Sequence, residues 1–152
     1  MKYCTRNELA NFVWKDSFIG EVQVTNGMFH LGLDNVTILP ENSTNRDIRE
    51  MRANELLFTI ENANILTLIE EGYKVYDADG NLQNAFLDKE VEKDKILEVL
   101  HTFAGGNIYS LKQDGNLYVF EIDANDHTYV LKVEGTGNVE EWDRYLTKDM
   151  GF

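Results

Sequence analysis

An α+β fold dominated by antiparallel strands is what this chain predicts, and three features carry that reading. Two-residue turns sit between alternating apolar residues, about ten short apolar runs are separated by Gly, Asn and Asp, and only one long stretch has clear helical periodicity. The 152 residues fit a single domain, 1–152, able to bury about two thirds of the surface its unfolded form exposes. We expect antiparallel meanders forming one strongly curved sheet or two packed sheets, with one medium helix and a short C-terminal helix.

Taken in order, Thr5 to Trp14 reads two ways, since Thr5 and Glu8 fit a capping box while Phe12 and Trp14 alternate like a strand. Around Asn26-Gly27, strict antiparallel register sets Val24 opposite Phe29, Val22 opposite Leu31 and Gly20 opposite Leu33, with Gln23/His30 and Glu21/Gly32 on the wet face. Val36 to Leu39 supplies a third strand, and the stretch from Ser43 to Met51 fits a helical turn. Strands follow near 56–60, 65–69, 73–77 and 82–86, broken by Glu-Asn-Ala-Asn, Glu-Glu-Gly and Asp-Gly.

Between 88 and 106, Ile96, Leu97, Leu100 and Phe103 form one stripe that ends at Gly105-Gly106, where a left-handed cap belongs, and this is the medium helix. Around Asp114-Gly115 a second hairpin pairs Leu111 with Tyr118 and Tyr109 with Phe120, and His127 to Val133 completes a meander like the first. Finally, Asn138 as N-cap, Glu141 three residues on, and Val139, Trp142, Tyr145 and Leu146 on one side predict the closing helix.

Composition excludes several classes of function. The balance of 27 acidic against 14 basic residues repels phosphate backbones and anionic lipid, so we expect no nucleic-acid and no membrane partner. Cys4 is the only cysteine, which rules out an internal disulfide and a cysteine-based zinc site and points to a reducing, cytoplasmic setting. No apolar run approaches the roughly 18 to 20 residues of a membrane helix, and the N-terminus lacks a signal core. The sequons at Asn35 and Asn42 are therefore read as chance.

Each motif with a chemical reading has a plainer one. Val75 to Glu90 orders Asp77, Asp79 and Gly80 like a calcium loop, but the first and twelfth ligand positions would be Val75 and Phe86, which cannot bind calcium; a hairpin tip explains every residue. Gly135, Gly137 and the stretch to Trp142 have a nucleotide-loop context, yet Glu140 stands where the third glycine belongs and puts charge where a pyrophosphate would dock. His30, His101 and His127 lie in no metal-binding spacing. Cys4 has no fixed base beside it, and Ser17, Ser43 and Ser110 sit in no nucleophile elbow. We expect no cofactor and no metal. One face invites a partner: opposite the core side of the last meander stand Ile108, Val119 and Val130, to be covered by the 90–103 helix, by a subunit or partner, or to line a ligand groove.

The strings EEGYKVYDADGNL and EEWDRYL resemble those of a family of small bacterial proteins of about this length with no assigned activity. The resemblance spans most of the chain and carries no catalytic motif, so it implies no functional residues. The sequence leaves function unknown and leans against an enzyme. It favours a cytoplasmic protein acting through protein–protein contact, as a homodimer or on a basic partner, in the manner of an acidic inhibitor or immunity-type protein. The alternative is a small-molecule binder or enzyme with its site between the sheets.

Overall fold

The computed structural model describes residues 1–46 and 48–147. In chain order the strands are β1 (Tyr3–Arg6), β2 (Phe12–Val13), β3 (Phe18–Thr25), β4 (Met28–Asp34), β5 (Val36–Ile38), β6 (Met51–Ala53), β7 (Leu56–Glu61) and β8 (Asn64–Glu70). They continue with β9 (Tyr73–Tyr76), β10 (Leu82–Phe86), β11 (Lys89–Glu90), β12 (Asn107–Asp114), β13 (Leu117–Ala124), β14 (His127–Glu134), β15 (Gly137–Trp142) and β16 (Leu146–Thr147). Among the described residues, helical structure is limited to a 3-10 turn at Leu9–Asn11 and a run in which helix α1 (Ile96–Leu100) is flanked by 3-10 turns at Lys93–Lys95 and His101–Phe103. With 57% of the described residues in strand and one helical run of 11 residues, the fold is mostly antiparallel β rather than the α+β expected.

Ten strands form one sheet in the order β1-β15-β7-β4-β3-β12-β13-β14-β8-β11. A second sheet has the order β16-β6-β5-β2, and β9 and β10 form a two-stranded sheet of their own. Adjacent strands lie about 4.8 Å apart, so in a flat sheet β7 and β13, four steps from one another, would be separated by about 19 Å. Instead Phe58 of β7 meets Phe120 of β13 at 6.3 Å and Tyr118 at 6.5 Å between ring centroids. The large sheet is therefore curled around its own core, with β1 and β11 as its two edges.

Three register shifts accompany the curl: at Gly20 in β3, at Tyr109 in β12, and opposite Lys132/Val133 of β14 in β8. A bulge bends the strand that carries it and raises its twist. The small sheet joins the same core, since Phe12 meets Trp142 edge-on at 5.7 Å and Trp14 meets Phe58 at 5.0 Å.

The bulges also correct the sequence-based pairings. In the first hairpin Val24/Phe29, Val22/Leu31, Gln23/His30 and Glu21/Gly32 pair as expected, but Gly20 falls in the bulge and Ile19 faces Leu33. In the second the loop is Gly115-Asn116, so Leu111 faces Phe120 and Gln113 faces Tyr118. Gly115 has φ +59, the positive value a two-residue loop needs to follow the strand twist. The bulge at Tyr109 brings Ile108 and Leu111 onto the inner face together and turns Tyr109 out to solvent.

Two further expectations change. The predicted closing helix is strand β15 followed by β16: a segment this short has little helical stability of its own, and hydrogen bonding on both sides to β1 and β7 outweighs its helical stripe. The helical run from 93 to 103 packs one side, Ile96, Leu100 and Phe103, against the core, where Phe103 meets the inward Tyr129 at 4.8 Å, and leaves Leu97 and most of its other residues exposed; it does not cover the outer face of β13 and β14. Gly105, at φ +89, ends the run as a left-handed residue.

Candidate functional site

The feature that ordinary folding does not account for is the hairpin β9–β10. It continues the β8–β11 ribbon, since the pairings Ile69/Glu90 and Glu70/Lys89 pass into Tyr73/Phe86, Lys74/Ala85 and Val75/Asn84 without change of register. At the neck between the two halves, a Cβ on Gly72 would lie 2.0 Å from the carbonyl oxygen of Phe86 and 2.7 Å from the carbonyl carbon of Leu87. Only glycine lets the strands approach so closely. The Gly72 N–H also donates to the Asp88 carboxylate at 2.6 Å.

Beyond the neck every residue of both strands is exposed. Tyr73 and Phe86 stack on each other at 4.5 Å, on one face with Val75. Tyr76 and Leu82 form a cross-strand pair on the other face, 55% and 56% exposed, and Leu87 at the neck is 84% exposed. An isolated two-stranded hairpin is marginal in water, and this one holds exposed apolar side chains on both faces, with the His127 ring 6.3 Å from that of Tyr73. Between residues 70 and 92 the chain has seven acidic and two basic side chains, which ring these apolar groups with negative charge.

The tip is closed by Asp77, whose carboxylate accepts the backbone N–H groups of Asp79 at 2.9 Å and Asn81 at 2.8 Å. Those donors, Asn81 foremost, hold its pKa below the usual carboxylate value. Gly80, at φ +83, completes the turn. Among the described residues no group of three His, Cys, Asp or Glu side chains is placed to hold a metal. We expect millimolar calcium to leave the thermal midpoint unchanged. A ligand at 100 times its dissociation constant adds about 2.7 kcal/mol, so a rise of several degrees that Asp77→Asn abolishes would overturn the turn assignment.

The candidate partner-facing residues do not share a face. Ile108 is completely buried on the inner face, where it pairs with Ile122, while Val119 and Val130 are half-buried on the outer face. Val119 stands between Lys112 and Lys132, and Val130 between Glu121 and Ile69. The histidines occupy separate elements: His30 bonds Thr59 at 2.9 Å, His127 lies 3.6 Å from Glu70, and His101 is exposed after α1. Cys4 is exposed on β1, opposite Glu141.

Where the two sheets meet, an open cleft of about 750 Å³ is lined by Phe18, Asp34, Arg52, Glu55, Asp143 and Arg144, among others. Several of its polar groups bond neighbours in the chain. Asp34 accepts the Glu55 N–H at 2.8 Å and Arg52 donates to Asn35 at 3.0 Å.

Sequence reading missed the inner row of β15. Asn138, Glu140 and Trp142 alternate inward and are completely buried. The Asn138 amide donates to the Tyr118 hydroxyl at 3.0 Å across the curl, and the Thr5 hydroxyl donates to Glu140 at 2.8 Å. Among the described residues, Asn138 Oδ1, Glu140 Oε2 and Trp142 Nε1 are buried without a hydrogen-bond partner. Burial pushes the Glu140 carboxyl up to about 7, against the lowering effect of the Thr5 hydroxyl, the Glu8 backbone N–H and the Arg6 charge. The period-two pattern Asn-x-Glu-x-Trp was present in the sequence, but its polar members disguised it as a surface.

Among the described residues no helix is long and apolar enough to cross a membrane. Comparison with known proteins finds no matching family model, no matching curated protein and no matching solved structure.

Proposed function

We propose that this protein works by contact rather than catalysis, presenting the β9–β10 hairpin to a protein partner with a basic surface. One observation carries the reading: the hairpin projects on a glycine neck with Tyr76, Leu82 and Leu87 exposed and acidic side chains around them. Apolar groups that stay in water in the free protein gain most by burial in a complex, roughly 25 cal/mol per Å² before the costs of association. The acidic ring selects a partner with Lys and Arg at the rim of an apolar groove, and speeds its approach. A net charge of −13 disfavours a second copy of the same chain in that role. Masking a basic surface is how an acidic inhibitor or immunity-type protein would act.

The test uses Tyr76→Asp/Leu82→Asp, which places charge on the apolar pair and leaves the curled core untouched. Affinity capture from native lysate at low and high salt, read by mass spectrometry, should retain a basic protein on the wild type. The double variant should lose it with no change in thermal midpoint. Gly72→Ala, which obstructs the neck, should lose it too. Equal capture by all three chains would sink the proposal. A wild-type dimer in light scattering that the double variant dissolves would replace the basic partner with a second copy.

A further inference from the structure

We propose that β1 is a proton-operated latch on the open edge of the large sheet, seated while Glu140 carries a proton and lifting from β15 when Glu140 is ionised. The inference is independent of the hairpin and rests on where Glu140 lies. Its side chain points into the curl from β15, the strand next to the edge, and the lateral partner facing it from β1 is Thr5. Among the described residues β1 pairs on one side only, with four residues from Tyr3/Trp142 to Arg6/Val139. Its other ties include the mutual bonds of Asn7 and Asn138 at 2.8 and 3.0 Å, the Lys2 N–H to Asp143 at 3.2 Å, the contacts of Tyr3 with Trp142 at 5.7 Å and Tyr145 at 4.7 Å, and the ion pair of Arg6 with Glu61.

One Glu140 oxygen accepts the Thr5 hydroxyl and the other has no partner among the described residues. A neutral carboxyl tolerates that site, whereas a carboxylate with a bare oxygen there needs water or a counter-charge. The groups that face it do not supply one. Arg6 on β1 lowers the proton affinity only weakly and is committed to Glu61, while Glu8 in the turn after β1 favours ionisation through its backbone N–H and opposes it with its own charge, and burial outweighs them all. Tyr118 on β13 feels Glu140 as a like charge when it ionises. From β7 the facing residue is the apolar Phe58.

When the proton leaves to solvent, the least costly way to hydrate the carboxylate is to move the element with the fewest ties, which is the edge strand. The value near 7 puts that exchange within the range of ordinary cellular pH. Lifting β1 would uncover the β15 edge, a row of backbone donors and acceptors able to receive another strand.

Hydrogen exchange by mass spectrometry tests the latch with the whole chain, comparing wild type with Glu140→Gln at pH 6 and pH 8.5, where intrinsic exchange is the same in both proteins. At pH 6 the segment 1–11 should exchange at matched rates. At pH 8.5 the wild type should exchange at least tenfold faster than the variant in 1–11, while β12 to β14 remain alike. Equal rates in 1–11 at pH 8.5, or a difference spread evenly over all segments, would overturn the latch. Should Glu140→Gln fail to fold, NMR of the wild type decides: the Glu140 carboxyl carbon and the β1 amides should titrate together, and β1 shifts that ignore the carboxyl sink the proposal.

Discussion

Phe58→Ala should cost about 3 to 5 kcal/mol, the range for removing a large aromatic side chain from a packed core. The ring is completely buried on β7 and touches Trp14, Tyr118 and Phe120, so it links the small sheet to the far side of the curl. Its loss would open space that three different elements would have to fill at once. A urea melt measures the effect through the midpoint and its slope. A loss below about 1 kcal/mol, the scale of a surface substitution, would mean that β7 and β13 are not brought face to face and that the sheet is flatter than described.

The second large effect depends on pH. The folded chain holds a proton on Glu140 up to about 7, whereas the ordinary value is 4.5, so between those two values it binds a proton that the unfolded chain has released. The stabilisation this gives is fully present below 4.5 and is lost as pH rises to about 7. Above that the ionised group destabilises the fully seated fold by up to about 3 kcal/mol, a ceiling lowered by whatever relief the lifting of β1 provides. Glu140→Gln should therefore match the wild type near pH 4.5 and exceed it at pH 8. Because the other carboxylates are common to both chains, the difference between their melts reports on Glu140 and the groups coupled to it. A wild type as stable as the variant at pH 8 would show that Glu140 is ionised there at no cost.

Much of the strand map could be read from the residues. The four central strands came from short apolar runs bounded by Asn, Gly and acidic pairs, and the Asn26-Gly27 hairpin came from its turn chemistry; these are local signals that tertiary contacts reinforce. What failed depended on neighbours distant in sequence. A helical stripe at Val139, Trp142 and Tyr145 could not reveal that β1 and β7 offer ladders on both sides of β15. One bulged residue, Tyr109, reversed the faces of Ile108 and everything before it, because the side-chain period of a strand is two. The hairpin β9–β10 was located correctly and its exposure was missed. Apolar alternation in Tyr73 to Leu82 says where side chains point, and it does not say whether anything lies over them.

The insertion of β15 between β1 and β7 also bears on how the chain reaches this state. β1 and β15 lie at opposite ends of the sequence, with Tyr3 paired to Trp142, so this closure carries a large loop entropy and raises the contact order of the fold. During synthesis β7 can pair with β4 while its other edge stays open until residues 137–142 have emerged. The strand that finally fills the gap brings Asn138 and Glu140 inward, both fully hydrated until then. Assembly at this end is therefore late, and its barrier includes stripping water from an amide and a carboxyl, a step that a protonated Glu140 would take more readily than an ionised one.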